Sequence, residues 1–185
     1  MGEYRNGKRD GHGKYISKRG WVYSGEWKDG EREGRGILET EKRRQVFDGM
    51  WKAGMLEGKA WVADHGNFFD GFFKNGEPFG RGVMIYRDNS VFRGNFQNGK
   101  REGKGNFKFT NGDIYIGTWE KDTVVGKGMF RLTNGTFRQT EWLPEVGKFK
   151  ILNTNDPLMK GHEAYISRTD LAFLIGAYKL PSLSS

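Results

Sequence analysis

The side chains best suited to metal binding or proton transfer are few and scattered. His12, His65 and His162 lie far apart in the 185-residue sequence, and none has a second ligand at paired metal-binding spacing. His12 occupies a Gly-x-Gly slot, Gly11-His12-Gly13, which reads as a surface position. There is no Cys, so thiolate nucleophiles and disulfides are excluded. No Gly-x-Ser-x-Gly elbow or P-loop occurs. The many Gly-x-Gly pairs lack the third Gly that would carry a phosphate loop into a helix. Asp and Glu fall in mixed-sign stretches such as Lys28-Asp29-Gly30-Glu31-Arg32-Glu33, with no constellation for acid–base work. The expectation is a non-enzyme with no catalytic, cofactor-binding or metal-binding residues. What remains is recognition by aromatic surface and charge.

Composition narrows the scaffold that would carry such recognition. The chain holds 29 Gly, where average usage of roughly 7% gives about 13. Gly does not recur every third residue, so the sequence is not collagen-like. With 14 Phe, 7 Tyr and 6 Trp it does not read as disordered either. A glycine-demanding repeat is left. No apolar run approaches the roughly 20 residues of a membrane span. The start, Met1-Gly2-Glu3-Tyr4, has no signal-peptide hydrophobic region, and Asn6 breaks the myristoylation pattern. These features predict a cytoplasmic location. Net charge is +8, which attracts phosphates and anionic lipid. The charges are interleaved except at Lys42-Arg43-Arg44.

The repeat is legible as aromatic-x-Gly-x-aromatic. It reads Tyr23-Ser24-Gly25-Glu26-Trp27, Phe47-Asp48-Gly49-Met50-Trp51, Phe69-Asp70-Gly71-Phe72-Phe73, Phe92-Arg93-Gly94-Asn95-Phe96 and Tyr115-Ile116-Gly117-Thr118-Trp119. Successive copies start 24, 22, 23 and 23 residues apart. A second signature follows each: Gly34-Arg35-Gly36, Gly58-Lys59-Ala60, Gly80-Arg81-Gly82, Gly103-Lys104-Gly105 and Gly126-Lys127-Gly128. Asp29-Gly30 and Asn75-Gly76 lie between the halves and signal tight hairpin turns. Asn111-Gly112 and Asn134-Gly135 mark turns between repeats. A partial copy, Gly2-Glu3-Tyr4 with Gly11-His12-Gly13, precedes the first, and a degenerate copy around Trp142 follows the last.

This pattern resembles the MORN repeat family over roughly residues 2 to 142. The resemblance implies an elongated array of antiparallel hairpins. It also implies a part in cytoskeletal, ciliary or flagellar assemblies, with end-to-end dimers in some members. Phospholipid or membrane-surface binding is the alternative the family carries, and a third is that this is the MORN part of a larger signalling protein. The fold class expected is all-β: an elongated single-layer array of antiparallel β-hairpins, about 12 strands, with a C-terminal amphipathic α-helix. Residues 1–143 form the array, 144–166 an irregular connector bracketed by Pro144 and Pro157, and 167–185 a helix and tail. At about 4.8 Å per strand, such an array would run nearly 60 Å.

Strand parity sharpens the reading. Alternate residues share a face, so Tyr115, Gly117 and Trp119 face together, as do Gly103, Gly105 and Phe107 on the preceding strand. Glycines opposite rings leave room for those rings, which offsets what Gly costs inside a strand. The opposite face should be wet, with Ser24, Glu26 and Lys28, then Arg93, Asn95 and Gln97. It is not wet throughout. Met50, Trp61, Phe68, Phe72, Val83 and Ile85 fall on it and form a candidate partner-binding patch, because clustered exposed apolar surface marks interaction sites. Beyond it, Ser167-Arg168-Thr169-Asp170 resembles a capping box, and Leu171, Leu174, Ile175 and Tyr178 follow helical spacing. They are candidate helix contacts on this chain's own repeats or on another chain. The partners expected are proteins, a second copy of the chain among them. Anionic lipid is a weaker expectation, and nucleic acid is disfavoured because the rings sit mostly on the core face.

Overall fold

A computed structural model describes residues 1–40, 44–153 and 163–164. The chain divides into two compact units. The described part of the first is residues 1–40 and 44–87, and that of the second is residues 88–153 and 163–164. Every described element is a β-strand and every pairing given below is antiparallel, so the all-β hairpin array is confirmed.

In the first unit eight strands run in sequence order. They are β1 (Gly2–Arg5), β2 (Lys8–Ile16), β3 (Val22–Lys28), β4 (Glu31–Glu39), β5 (Gln45–Lys52), β6 (Met55–Asp64), β7 (Asn67–Lys74) and β8 (Glu77–Ile85). The second unit continues with β9 (Val91–Gln97), β10 (Lys100–Lys108), β11 (Ile114–Glu120), β12 (Thr123–Arg131), β13 (Phe137–Leu143), β14 (Lys148–Asn153) and the two-residue β15 (Glu163–Ala164). Two strands therefore go beyond the sequence reading. Lys148–Asn153 lies in the segment expected to be an irregular connector, yet Phe149 faces Trp142 in a regular ladder and is fully buried. Glu163–Ala164 adds one more rung. The predicted helix, with Leu171, Leu174, Ile175 and Tyr178, lies outside the described residues.

Two-residue turns set the hairpins. Both central residues have positive φ at Asn6-Gly7, Asp29-Gly30, Ala53-Gly54, His65-Gly66, Asn75-Gly76, Asn98-Gly99 and Lys121-Asp122, the geometry that matches strand twist. His65-Gly66 joins β6 to β7 directly. The next repeat consequently starts 22 residues after the last rather than 23 or 24.

The two glycines of the second signature do different work. The first, at Gly34, Gly58, Gly80, Gly103 and Gly126, has φ between +59° and +82°. In the pairings of β3 with β4 and β7 with β8 it sits in a bulge where the register shifts. This glycine is there for backbone conformation rather than for ring space, which corrects the simple parity reading. The second glycine lies under a ring. A Cβ at Gly82 would meet Phe69 Cζ at 2.5 Å, and one at Gly105 would meet Phe92 Cζ at 2.5 Å. The strand register turns these positions into a lane: Gly13, Gly25, Gly36, Gly49, Ala60, Gly71 and Gly82 are paired in succession. In four of the five repeats the first ring (Tyr23, Phe69, Phe92 and Tyr115) folds over the paired glycines and the second packs edge-on against it, whereas a Cβ at Gly49 would meet Ala60 instead of a ring. Tyr23 and Trp27 stand 4.9 Å apart at 83°, and Phe92 and Phe96 5.3 Å apart at 89°, the edge-to-face geometry that aromatic quadrupoles favour. The indoles also tie repeats together: Trp51 Nε1 donates to Gly36 O at 2.9 Å and Trp27 Nε1 to Gly13 O at 3.2 Å.

Candidate interaction face

The open face of the first unit is organised by the same register. Starting from β4, one row across the strands is Ile37, Asp48, Trp61, Asp70 and Val83, each opposite the next. The adjacent row pairs Arg35 with Met50 and Lys59 with Phe72, and continues from Phe72 to Phe79. A third row on the other side holds Ala63, Phe68 and Ile85. The six sequence-selected residues are therefore contiguous. Five of them have between 37% (Ile85) and 50% (Phe72) of their surface exposed, and Val83 is half-buried. Trp61 and Phe68 lie 5.9 Å apart, tilted by 35°.

Sequence reasoning missed Phe79, which is 41% exposed directly opposite Phe72. Its neighbour Pro78 argues against a strand interior, although Pro78 is in fact buried in β8. The parity of Phe79 with Arg81 and Val83 was the available signal. Lys74 Nζ lies 5.3 Å from the Phe79 ring centroid, within cation–π range.

Charge is also ordered on this face. The first row carries acids, Asp48 and Asp70. The second carries bases, Arg35 and Lys59, and Arg81 lies beside Phe79 in the β8 bulge. Arg35 reaches 2.6 Å to Asp48 Oδ1 in a charge contact that lacks hydrogen-bond alignment. Among the described residues, Lys59, Asp70 and Arg81 have no ion-pair partner.

The aromatic face of the same unit carries a second feature, a groove of about 470 Å³. It is lined by Arg9, Tyr15, Trp27, Tyr23 and Arg32, among others. The Arg9 guanidinium lies 4.5 Å from the Tyr15 centroid and 4.9 Å from Trp27, and Arg32 lies 4.4 Å from Trp51 while donating to Gly54 O at 2.6 Å. Burial lowers the Arg32 pKa from its ordinary value, and burial pushes the Tyr23 hydroxyl up to about 12. Nothing here forms a nucleophile–base pair. The arginines serve as planar lids on rings, and the groove is an extension of the core.

The histidines are separated. His12 is exposed and its backbone N–H donates to Glu3, while His65 sits in a turn with Nδ1 2.6 Å from Asp64 Oδ1. His162 lies outside the described residues. No cluster of three or more metal-ligating side chains occurs among the described residues. No described helix is long and apolar enough to cross a membrane.

No curated protein matches this chain. Among solved structures, the TCP domain of SAS-4 (dCPAP) of Drosophila melanogaster, in complex with a proline-rich motif of Ana2 (dSTIL), is similar. The identity is 11% and the TM-score 0.25, over 77% of this chain and 90% of that one. The family model "MORN repeat" matches residues 1–22, 23–40, 47–61, 69–91, 92–114 and 115–137. Those boundaries follow the hairpins described above, including the partial copy at the start, and the chain belongs to the MORN repeat family.

Proposed function

We propose that this chain is a non-catalytic protein-interaction scaffold that binds a partner through the open face of β4 to β8. MORN repeats are a non-enzymatic interaction module for proteins or membranes. One observation favours protein here: the apolar cluster of Met50, Trp61, Phe68, Phe72, Phe79 and Ile85 on a face whose equivalent positions in the fourth repeat are the polar Arg93, Asn95, Asn106 and Lys108. The matching positions are Glu26, Asn95 and Thr118 where Met50 and Phe72 stand. Replacing a polar residue by an exposed ring weakens solubility without adding core, so a covering partner supplies the reason. On resemblance we assign it to a cytoplasmic cytoskeletal, ciliary or flagellar assembly, which imaging of the tagged chain checks.

The test is affinity capture with the wild type against the double variant Trp61→Ala/Phe72→Asp. Partner recovery is expected to fall with the variant, and equal recovery would reject the face. Co-sedimentation with phosphoinositide vesicles runs in parallel. Vesicle binding that survives physiological salt would replace the protein reading with a lipid one, because nonspecific charge attraction is screened there.

A further inference from the structure

We infer that the open face of β4 to β8 is self-complementary and that a second copy of this chain docks on it face to face. The inference rests on reading this face as the interaction surface, and it names the occupant.

Charge and apolar side chains alternate along this face. In the first row Ile37, Trp61 and Val83 alternate with Asp48 and Asp70. In the second row Arg35 and Lys59 alternate with Met50 and Phe72, and Arg81 stands beside Phe79. Each strand from β4 to β7 thus presents one charge and one apolar side chain, and β8 presents Arg81 with Val83 and Phe79, acids in one row and bases in the next. A two-fold axis lying in the plane of the face, across the strands and between the two rows, turns one copy's acidic row over the other copy's basic row. Asp70 of one copy then falls between Lys59 and Arg81 of the second, and the reverse contact forms by symmetry. The three charges at issue are those left without ion-pair partners among the described residues. The rings of Trp61 and Phe72 fill the spaces between these pairs. A face with the opposite order, bases over bases, would repel its own copy.

Area sets the strength. Five strands at about 4.8 Å, crossed by about six residues at about 3.4 Å, give a face of roughly 24 by 20 Å. That projection of about 480 Å² is below the roughly 800 Å² per partner of standard stable interfaces. An interface of that size falls in the class of weak, reversible contacts, so association is sought at roughly micromolar to submillimolar chain.

Sedimentation equilibrium of the full chain over that range tests it, with circular dichroism to verify folding of each variant. The expected result is concentration-dependent dimerisation, weakened roughly tenfold or more by Phe72→Asp, as for a central interface residue. Charge exchange gives the decisive comparison. Asp70→Lys alone and Lys59→Asp/Arg81→Asp together should each stay monomeric, and an equimolar mixture of the two should restore dimers. A wild type that remains monomeric overturns the inference. So does a dimer that Phe72→Asp leaves intact, or a mixture that fails to associate. A monomeric wild type whose partner recovery still depends on Trp61 and Phe72 would end the dimer inference alone and leave the interaction reading standing.

Discussion

Gly105 and Gly103 stand two residues apart in β10 and should fail for opposite reasons when each is replaced by Ala. At Gly105 a methyl group would lie 2.5 Å from Phe92 Cε2 and Cζ and 3.2 Å from Arg93 O. Phe92 is fully buried and held edge-on by Phe96 at 5.3 Å and Trp119 at 5.0 Å, so its ring cannot swing clear. Overpacking of this kind costs about 1–3 kcal/mol. Gly103 has φ +69° and open space around a Cβ, with Asn95 Nδ2 the nearest atom at 3.9 Å. Its replacement costs about 1–2 kcal/mol through backbone conformation alone. Urea denaturation followed by circular dichroism and Trp fluorescence separates the two. In a Phe92→Leu background the Gly105→Ala cost should shrink, by about 0.5 kcal/mol or more of coupling between touching groups, whereas the Gly103→Ala cost should not change. Gly103→Asn should cost less than Gly103→Ala, because Asn tolerates the left-handed region. A Gly105→Ala cost independent of the Phe92 side chain would refute the ring-over-glycine account of the whole repeat.

Two further outcomes follow from buried polar groups. Arg101 is 2% exposed, stacks 5.5 Å from the Phe92 centroid and bonds Asp122 Oδ1 through its backbone N–H at 2.8 Å and its Nε at 3.2 Å. Leu56 and Val124 fill the corresponding positions of other repeats and are fully buried, so Arg101→Leu with Asp122→Asn should be nearly neutral in urea unfolding. Asp122→Ala alone removes the carboxylate opposite a buried guanidinium, leaving it the Asp122 backbone carbonyl at 2.7 Å, and should cost about 3–5 kcal/mol; equal losses for the two variants would contradict this. Burial raises the pKa of both Tyr23, to about 12, and Tyr115. The folded chain then holds protons that the unfolded chain releases above the ordinary value near 10. Stability is fully present below pH 10 and declines as pH rises through about 12. Alkaline unfolding curves should flatten in Tyr23→Phe/Tyr115→Phe, and an unchanged alkaline limb would count against these hydroxyls as the cause.

Much of this protein was written in its local pattern. A period of about 23 residues, an aromatic two residues before each glycine and turn dipeptides such as Asp29-Gly30 specify antiparallel hairpins, because side-chain alternation and positive φ are properties of short segments. The apolar patch was legible for the same reason: Met50, Trp61, Phe68, Phe72, Val83 and Ile85 break a polar parity that the repeat makes visible. Other features needed the folded ladder. Pairing across strands revealed that the two glycines of one signature serve backbone and ring separately, since φ and ring overlap are not encoded by residue type. The same pairing brought Phe79 to the patch past Pro78 and drew Phe149 into a strand through contact with Trp142. It also aligned Asp48 and Asp70 against Arg35, Lys59 and Arg81. Those charges lie 11 to 13 residues from one to the next along the sequence, and only the strand register orders them into an acidic row beside a basic one.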